Sequence, residues 1–109
     1  MAWIVRLTDQ AEQDLLDVVL WTSENFGSRQ AKEYLEGLMQ AIEALYDGPE
    51  VLGAKKRDDI GADIRTLHVA LFRKKGRHFV VFRHLVPQTI DVLRLLHDSM
   101  DLVRHVPEP

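Results

Sequence analysis

Arg65, Arg83, Arg94 and His97 are the residues whose types and spacing best suit chemistry. Each arginine falls in a different β-prone run of the second half, so the three guanidinium groups could converge on one sheet surface. Such a surface suits a phosphate, because the charge that builds on its equatorial oxygens during reaction needs fixed positive partners. His97 follows the last of these runs, and its imidazole is the neighbour able to move a proton near neutral pH. A quieter reading fits the same residues: the arginines pair with Asp91, Asp98 or Asp101, and His97 is a hydrogen-bonded structural histidine.

Other chemistries find less support. His68, His78, His84 and His105 form no helical i,i+4 pair and sit beside no carboxylate cluster, so no metal is expected. Without cysteine there is no disulfide framework and no thiolate zinc site, and nothing requires an oxidising compartment. Gly48, Gly53 and Gly61 lack the spacing of a phosphate-cradling loop, and no cofactor is expected.

The elements that must position these groups follow from periodicity. Trp3-Ile4-Val5-Arg6-Leu7 reads as a strand, and Thr8 is placed to cap a helix. Leu15, Val18, Val19, Thr22 and Phe26 follow helical spacing until Gly27, and Ser28 can cap a second helix. That helix carries Ala31, Leu35, Leu38, Ile42 and Leu45 on one stripe and stops at Gly48-Pro49. With so short a link the two helices fold back as an antiparallel hairpin over a sheet. Residues 50–63 read as a connecting loop, and residues 64–69, 78–83 and 89–96 as strands. Short turns make these three an antiparallel meander. The middle one is apolar on both faces, as for a strand covered by the helices on one side and by a tail or partner on the other. A short helix is expected between Asp98 and His105. The 109 residues make one domain, in the order β-α-α-β-β-β of an α+β fold.

Charge is unevenly placed. Residues 1–54 carry a net −7, residues 55–94 a net +6 and residues 95–109 a net −2. The basic part suits nucleic acid or an acidic protein segment, although ordinary solvated charge gives the same pattern. The polar stretch reached by Asp9 leaves no long apolar leader or membrane span, so a soluble, cytoplasmic protein is expected.

Several motifs together resemble the RelE/ParE toxin superfamily of type II toxin-antitoxin systems. In the first helix they are Ala11, Asp14-Leu15, Val18 and Trp21. Phe26-Gly27, Ala31, Tyr34, Leu38, Leu45, Pro49 and Gly53 continue the pattern. Ile64-Arg65, Leu67 and Val69, then Val81-Phe82-Arg83, then Ile90, Val92-Leu93-Arg94-Leu95-Leu96-His97 and Asp101 resemble its three strand signatures. Arg94, His97 and Asp101 are spaced as in the ParE-like branch. That resemblance implies an inhibitor of DNA gyrase acting by stoichiometric binding rather than by its own catalysis. It also implies a hetero-oligomer with a cognate antitoxin, ParD-like or another short protein with a partly disordered tail. The RelE-like alternative is a ribosome-dependent mRNA endoribonuclease using Arg65, Arg83, Arg94 and His97. The tyrosine such nucleases often carry near the C-terminus has no counterpart here, since Tyr34 and Tyr46 fall on the second helix, away from the arginines. A further alternative is a non-toxic protein-interaction domain.

The first helix also suggests where an antitoxin docks. Leu16 and Leu20 project almost opposite its main apolar face, with Trp21 on the flank, and a partner would bury them. Scattered surface leucines are the plain alternative. Arg65 and Arg83 on the basic strands would complete the surface by attracting acidic residues of the tail.

Overall fold

The computed structural model describes residues 2–106. Strand β1 (Ile4–Leu7) leads into helix α1 (Asp9–Phe26), which turns back as α2 (Ser28–Ala44). After a 3-10 turn at Leu45–Asp47 come β2 (Lys55–Lys56), β3 (Ile64–His68), β4 (His78–Leu85) and β5 (Thr89–His97), and then the short helix α3 (Leu102–His105).

Thr8 starts α1 as its position predicts. Its hydroxyl oxygen accepts the Ala11 N–H at 3.1 Å and its own proton goes to the Leu93 carbonyl at 3.0 Å. Gly27 both ends α1 and opens α2: its N–H donates to the Ser23 carbonyl at 2.9 Å and its carbonyl accepts the Ala31 N–H at 3.1 Å. Ser28 is therefore not the cap but the first residue of α2, which has no side-chain cap. The reversal occurs at φ +91°, a conformation glycine reaches without strain, so the boundary moves back by one residue.

The hairpin packs on a five-stranded sheet in the order β1-β5-β4-β3-β2. Strands β2 to β5 form the expected antiparallel meander. At one edge the expectation of an antiparallel sheet is corrected: β1 runs parallel to β5, from Ile4 opposite Thr89 to Leu7 opposite Val92. Tight turns dictate direction only between consecutive strands, and nearly the whole chain separates β1 from β5. Strand β2 lies in the stretch read as a loop; its two residues pair with Thr66 and Arg65, too few to leave a periodic trace.

Apolar packing lies on both sides of the sheet. Leu67, Val80, Phe82, Ile90 and Val92 meet Leu38, Ile42 and Leu45 on the helix side. On the other side Ile64, Val81, Leu93 and Leu96 are covered by Leu102 and Val106, so the chain's own C-terminal segment closes the far face of β4. Val92 and Leu95 face the helices while Leu93 and Leu96 face away. Strict alternation forbids that spacing, and a bulge where the pairing shifts at Val81/Phe82 supplies it. Helix α2 packs against the link between β3 and β4 at Gly37, where an added Cβ would lie 2.7 Å from the Arg73 Cβ.

Candidate functional site

The three arginines do not converge. Arg65 stands opposite Phe82 and Arg83 opposite Ile64. Directly opposed residues share a face, and Phe82 faces the helices whereas Ile64 faces the C-terminal segment. Arg65 and Arg83 therefore leave the sheet on opposite sides. Arg94 is held elsewhere: Nε and Nη2 donate to the Asp14 carboxylate at 2.7 and 3.0 Å, and Nη1 to the His105 carbonyl at 2.8 Å. Membership of three adjacent strands was legible in the sequence, but register decides the face. The ion-pair reading of Arg94 fits, with Asp14 rather than Asp91, Asp98 or Asp101 as partner. Arg65 has a looser contact, 4.0 Å from Glu50. The buried Nε of Arg83 has no hydrogen-bond partner among the described residues, and Asp91 across from it is engaged by Arg6 at 2.8 Å.

A different cluster forms around His97. It pairs with His78 at the end of the β4–β5 ladder away from its turn, their rings edge to face at 5.3 Å. Tyr34 reaches the same point from α2, its hydroxyl 2.6 Å from His78 Nδ1 and 2.9 Å from the Arg77 N–H. Tyr34, expected away from the surface of the arginines and His97, thus lies beside the His78–His97 pair. Its spacing from Ala31 and Leu38 sets it on the buried stripe of α2, and that was the available signal.

These contacts fix where the protons sit. The Tyr34 oxygen accepts from Arg77, and among the described residues its own proton has His78 Nδ1 as acceptor, which leaves the His78 proton on Nε2. Ser99 donates its backbone N–H to His97 Nδ1 at 3.1 Å, so His97 likewise carries its proton on Nε2. His68 follows the same pattern, accepting from the Ala70 N–H and facing Asp98 with Nε2 at 3.0 Å. Burial, reinforced by neighbouring His97, pushes the His78 imidazole down to about 4, which keeps it uncharged at neutral pH. Partial burial works against the Asp98 charge, but the His68 hydrogen bond and the Arg77 guanidinium outweigh it and hold the carboxyl below its ordinary value. Burial raises the Tyr34 phenol, so that it stays protonated.

This cluster lines one end of a cavity of about 720 Å³ between the hairpin and the sheet. Trp21 and Phe26 form its aromatic wall, their rings edge to face at 5.8 Å. Arg73, Lys75 and Arg77, from the link between β3 and β4, form its cationic rim. Arg73 is tied to Glu33 at 3.0 Å and Arg77 to Asp98 at 3.2 Å, whereas Lys75 has no ion-pair partner among the described residues. Sequence reasoning missed this cavity because its residues come from four separate segments that only the packing of the hairpin on the sheet brings together.

Leu16 and Leu20 are each 51% exposed and Trp21 is 59% exposed, so this monomer does not seal them. They divide between two flanks. Trp21 faces the cavity with Asp17, one turn away, while Leu16 and Leu20 lie on the adjacent strip of α1. Among the described residues no three histidine, aspartate or glutamate side chains gather as metal ligands. His84 instead meets Trp3 edge to face at 5.0 Å. No helix there is long and apolar enough to cross a membrane.

A chain in a solved structure described as the chromosomal ParDE toxin-antitoxin system from P. aeruginosa has the same fold. The match has a TM-score of 0.68 at 18% identity and covers 87% of this chain and 95% of that one. Toxin ParE1 of Mycobacterium tuberculosis is 30% identical over 100 residues, which span 92% of this chain and 94% of that protein. Toxin ParE1 of Caulobacter vibrioides is 27% identical over 101 residues, spanning 93% and 95%. Residues 5–102 match the family described as the ParE toxin of the type II toxin-antitoxin system parDE, and the chain belongs to that family. An antitoxin is accordingly the class of partner.

Proposed function

We propose that this protein acts in the cytoplasm by binding and inhibiting DNA gyrase, and that a ParD-like antitoxin neutralises it by covering the Leu16 and Leu20 strip. The observation that carries the stoichiometric reading is the separation of Arg65, Arg83 and Arg94 onto two faces and an internal ion pair. A phosphate-cleaving site built on those arginines would need them together. The two leucines support the antitoxin surface, since adjacent exposed leucines on one helix strip suit an amphipathic segment that folds as it binds. Arg65 and Arg83 would then meet different parts of a wrapping tail.

Purified protein added separately to gyrase and to translating ribosomes tests the proposal. The expected result is lost supercoiling or stabilised DNA breaks at near-equimolar toxin, with message intact. Cut message that disappears in a His97→Ala variant, with gyrase unaffected, would overturn it in favour of a ribonuclease.

A further inference from the structure

The cavity beside His78 and His97 plays no part in the gyrase proposal. We propose that it binds a nucleoside phosphate, with the base against Trp21 and Phe26 and the phosphate on His78, His97 and Lys75. At one end two imidazoles that line the cavity carry their protons on Nε2, each fixed by a donor to Nδ1. Such N–H groups are ready donors to an anionic oxygen and require no tautomer change when it arrives. Lys75 on the rim adds a cation that no carboxylate among the described residues has claimed, and Arg77 stands beside it. At the other end two large aromatic rings stay more than half exposed, at 59% for Trp21 and 58% for Phe26. Planar bases stack on such surfaces whatever their identity.

Size and shape favour this ligand over a peptide. A volume of about 720 Å³, half enclosed by the hairpin and the sheet end, is that of a single-molecule pocket rather than of a groove for an extended strand or a helix. The lining joins imidazole and cationic groups to the rings of Trp21 and Phe26, with Asp17 as its single carboxylate, and a nucleotide presents a partner to each kind. Two sources share this chemistry: a free mononucleotide, or the phosphorylated terminal nucleotide of a single strand.

Calorimetric titration of the intact protein decides the matter, using AMP, GMP, adenosine, inorganic phosphate, a 5′-phosphorylated single-stranded hexanucleotide and a short acidic aromatic peptide. AMP or GMP is expected to bind at least about tenfold more tightly than adenosine or phosphate alone, because both ends of the cavity then contribute. Equal binding of the hexanucleotide identifies strand ends as a source, and its failure beside a binding mononucleotide identifies free nucleotides. Trp21→Ala and Lys75→Gln, each confirmed as folded by thermal unfolding, should weaken AMP by about tenfold. Leu52→Ser, at an exposed side chain outside the cavity lining, should leave it unchanged. The proposal falls if AMP binds no better than phosphate, if neither cavity variant alters its affinity, or if only the acidic peptide binds.

Discussion

Asp14 and Arg94, 80 residues apart in sequence, are joined by two hydrogen bonds between carboxylate and guanidinium, at 2.7 and 3.0 Å. Asp14 also accepts the Leu95 N–H at 3.0 Å, on the stretch of β5 that lies beyond its pairing with β1. One side chain thus finishes a strand edge, anchors α1 and, through Arg94 and the His105 carbonyl, holds α3. Both members are largely buried, so removing one strands the other. Arg94→Ala is expected to lower stability by about 3–5 kcal/mol, and the Asp14→Leu/Arg94→Leu double variant by less than the sum of its singles. Urea unfolding midpoints measure both, and a change below about 1 kcal/mol for Arg94→Ala would contradict the assignment.

His78 makes stability depend on pH. Its imidazole titrates at about 4 in the folded chain against an ordinary 6.5, so between those values the unfolded chain holds a proton that the folded one refuses. The neutral group therefore allows full stability above pH 6.5, and stability falls as the pH drops toward 4. After discounting for solvent the loss is about 2 kcal/mol. Urea denaturation at stepwise pH should show this slope in the native chain. A His78→Phe variant should show a shallower one, and equal slopes would remove His78 as the cause.

Gly37 sets how near α2 approaches the cavity rim. Alanine there gains about 1 kcal/mol of helix propensity, but its Cβ would meet the Arg73 Cβ at 2.7 Å, and a β-carbon cannot swing aside. Gly37→Ala should therefore lower stability by about 1 kcal/mol net and displace the turn that carries Arg73 and Lys75. Thermal unfolding reads the first effect. Amide chemical shifts of residues 72–77 read the second.

Leu16 and Leu20 should separate folding from recognition. Leu16→Ser/Leu20→Ser is expected to change monomer stability by less than about 1 kcal/mol, because half of each side chain already meets water. If the antitoxin covers this strip, its dissociation constant should rise by about a hundredfold. Affinity unchanged in a folded double variant would move the interface to another surface.

The order of the helices and the longer strands, the Thr8 cap and the hairpin were legible because periodicity and capping are local signals, whereas the cover over β4 was legible only as a tail or a partner. Register was not. Whether Arg65 and Arg83 share a face depends on which residue of β4 opposes which residue of β3, and the sequence pattern gives no such pairing. The grouping of Tyr34 and His78 with His97 escaped for a related reason. His97 stood out alone, and only the packing of α2 against the sheet end makes the three neighbours. The parallel β1 edge was equally hidden, since no connection short enough to enforce a direction joins it to β5.

That edge also sets a timetable. Strand β1 finds its partner at Thr89–Val92 and Thr8 its second contact at Leu93, 85 residues further along the chain. A chain emerging from the ribosome N-terminus first holds β1 unmatched until β5 has followed it out. The first strand of the sheet is thus the last to be closed in, which ties completion of the fold to a strand made some 85 residues later.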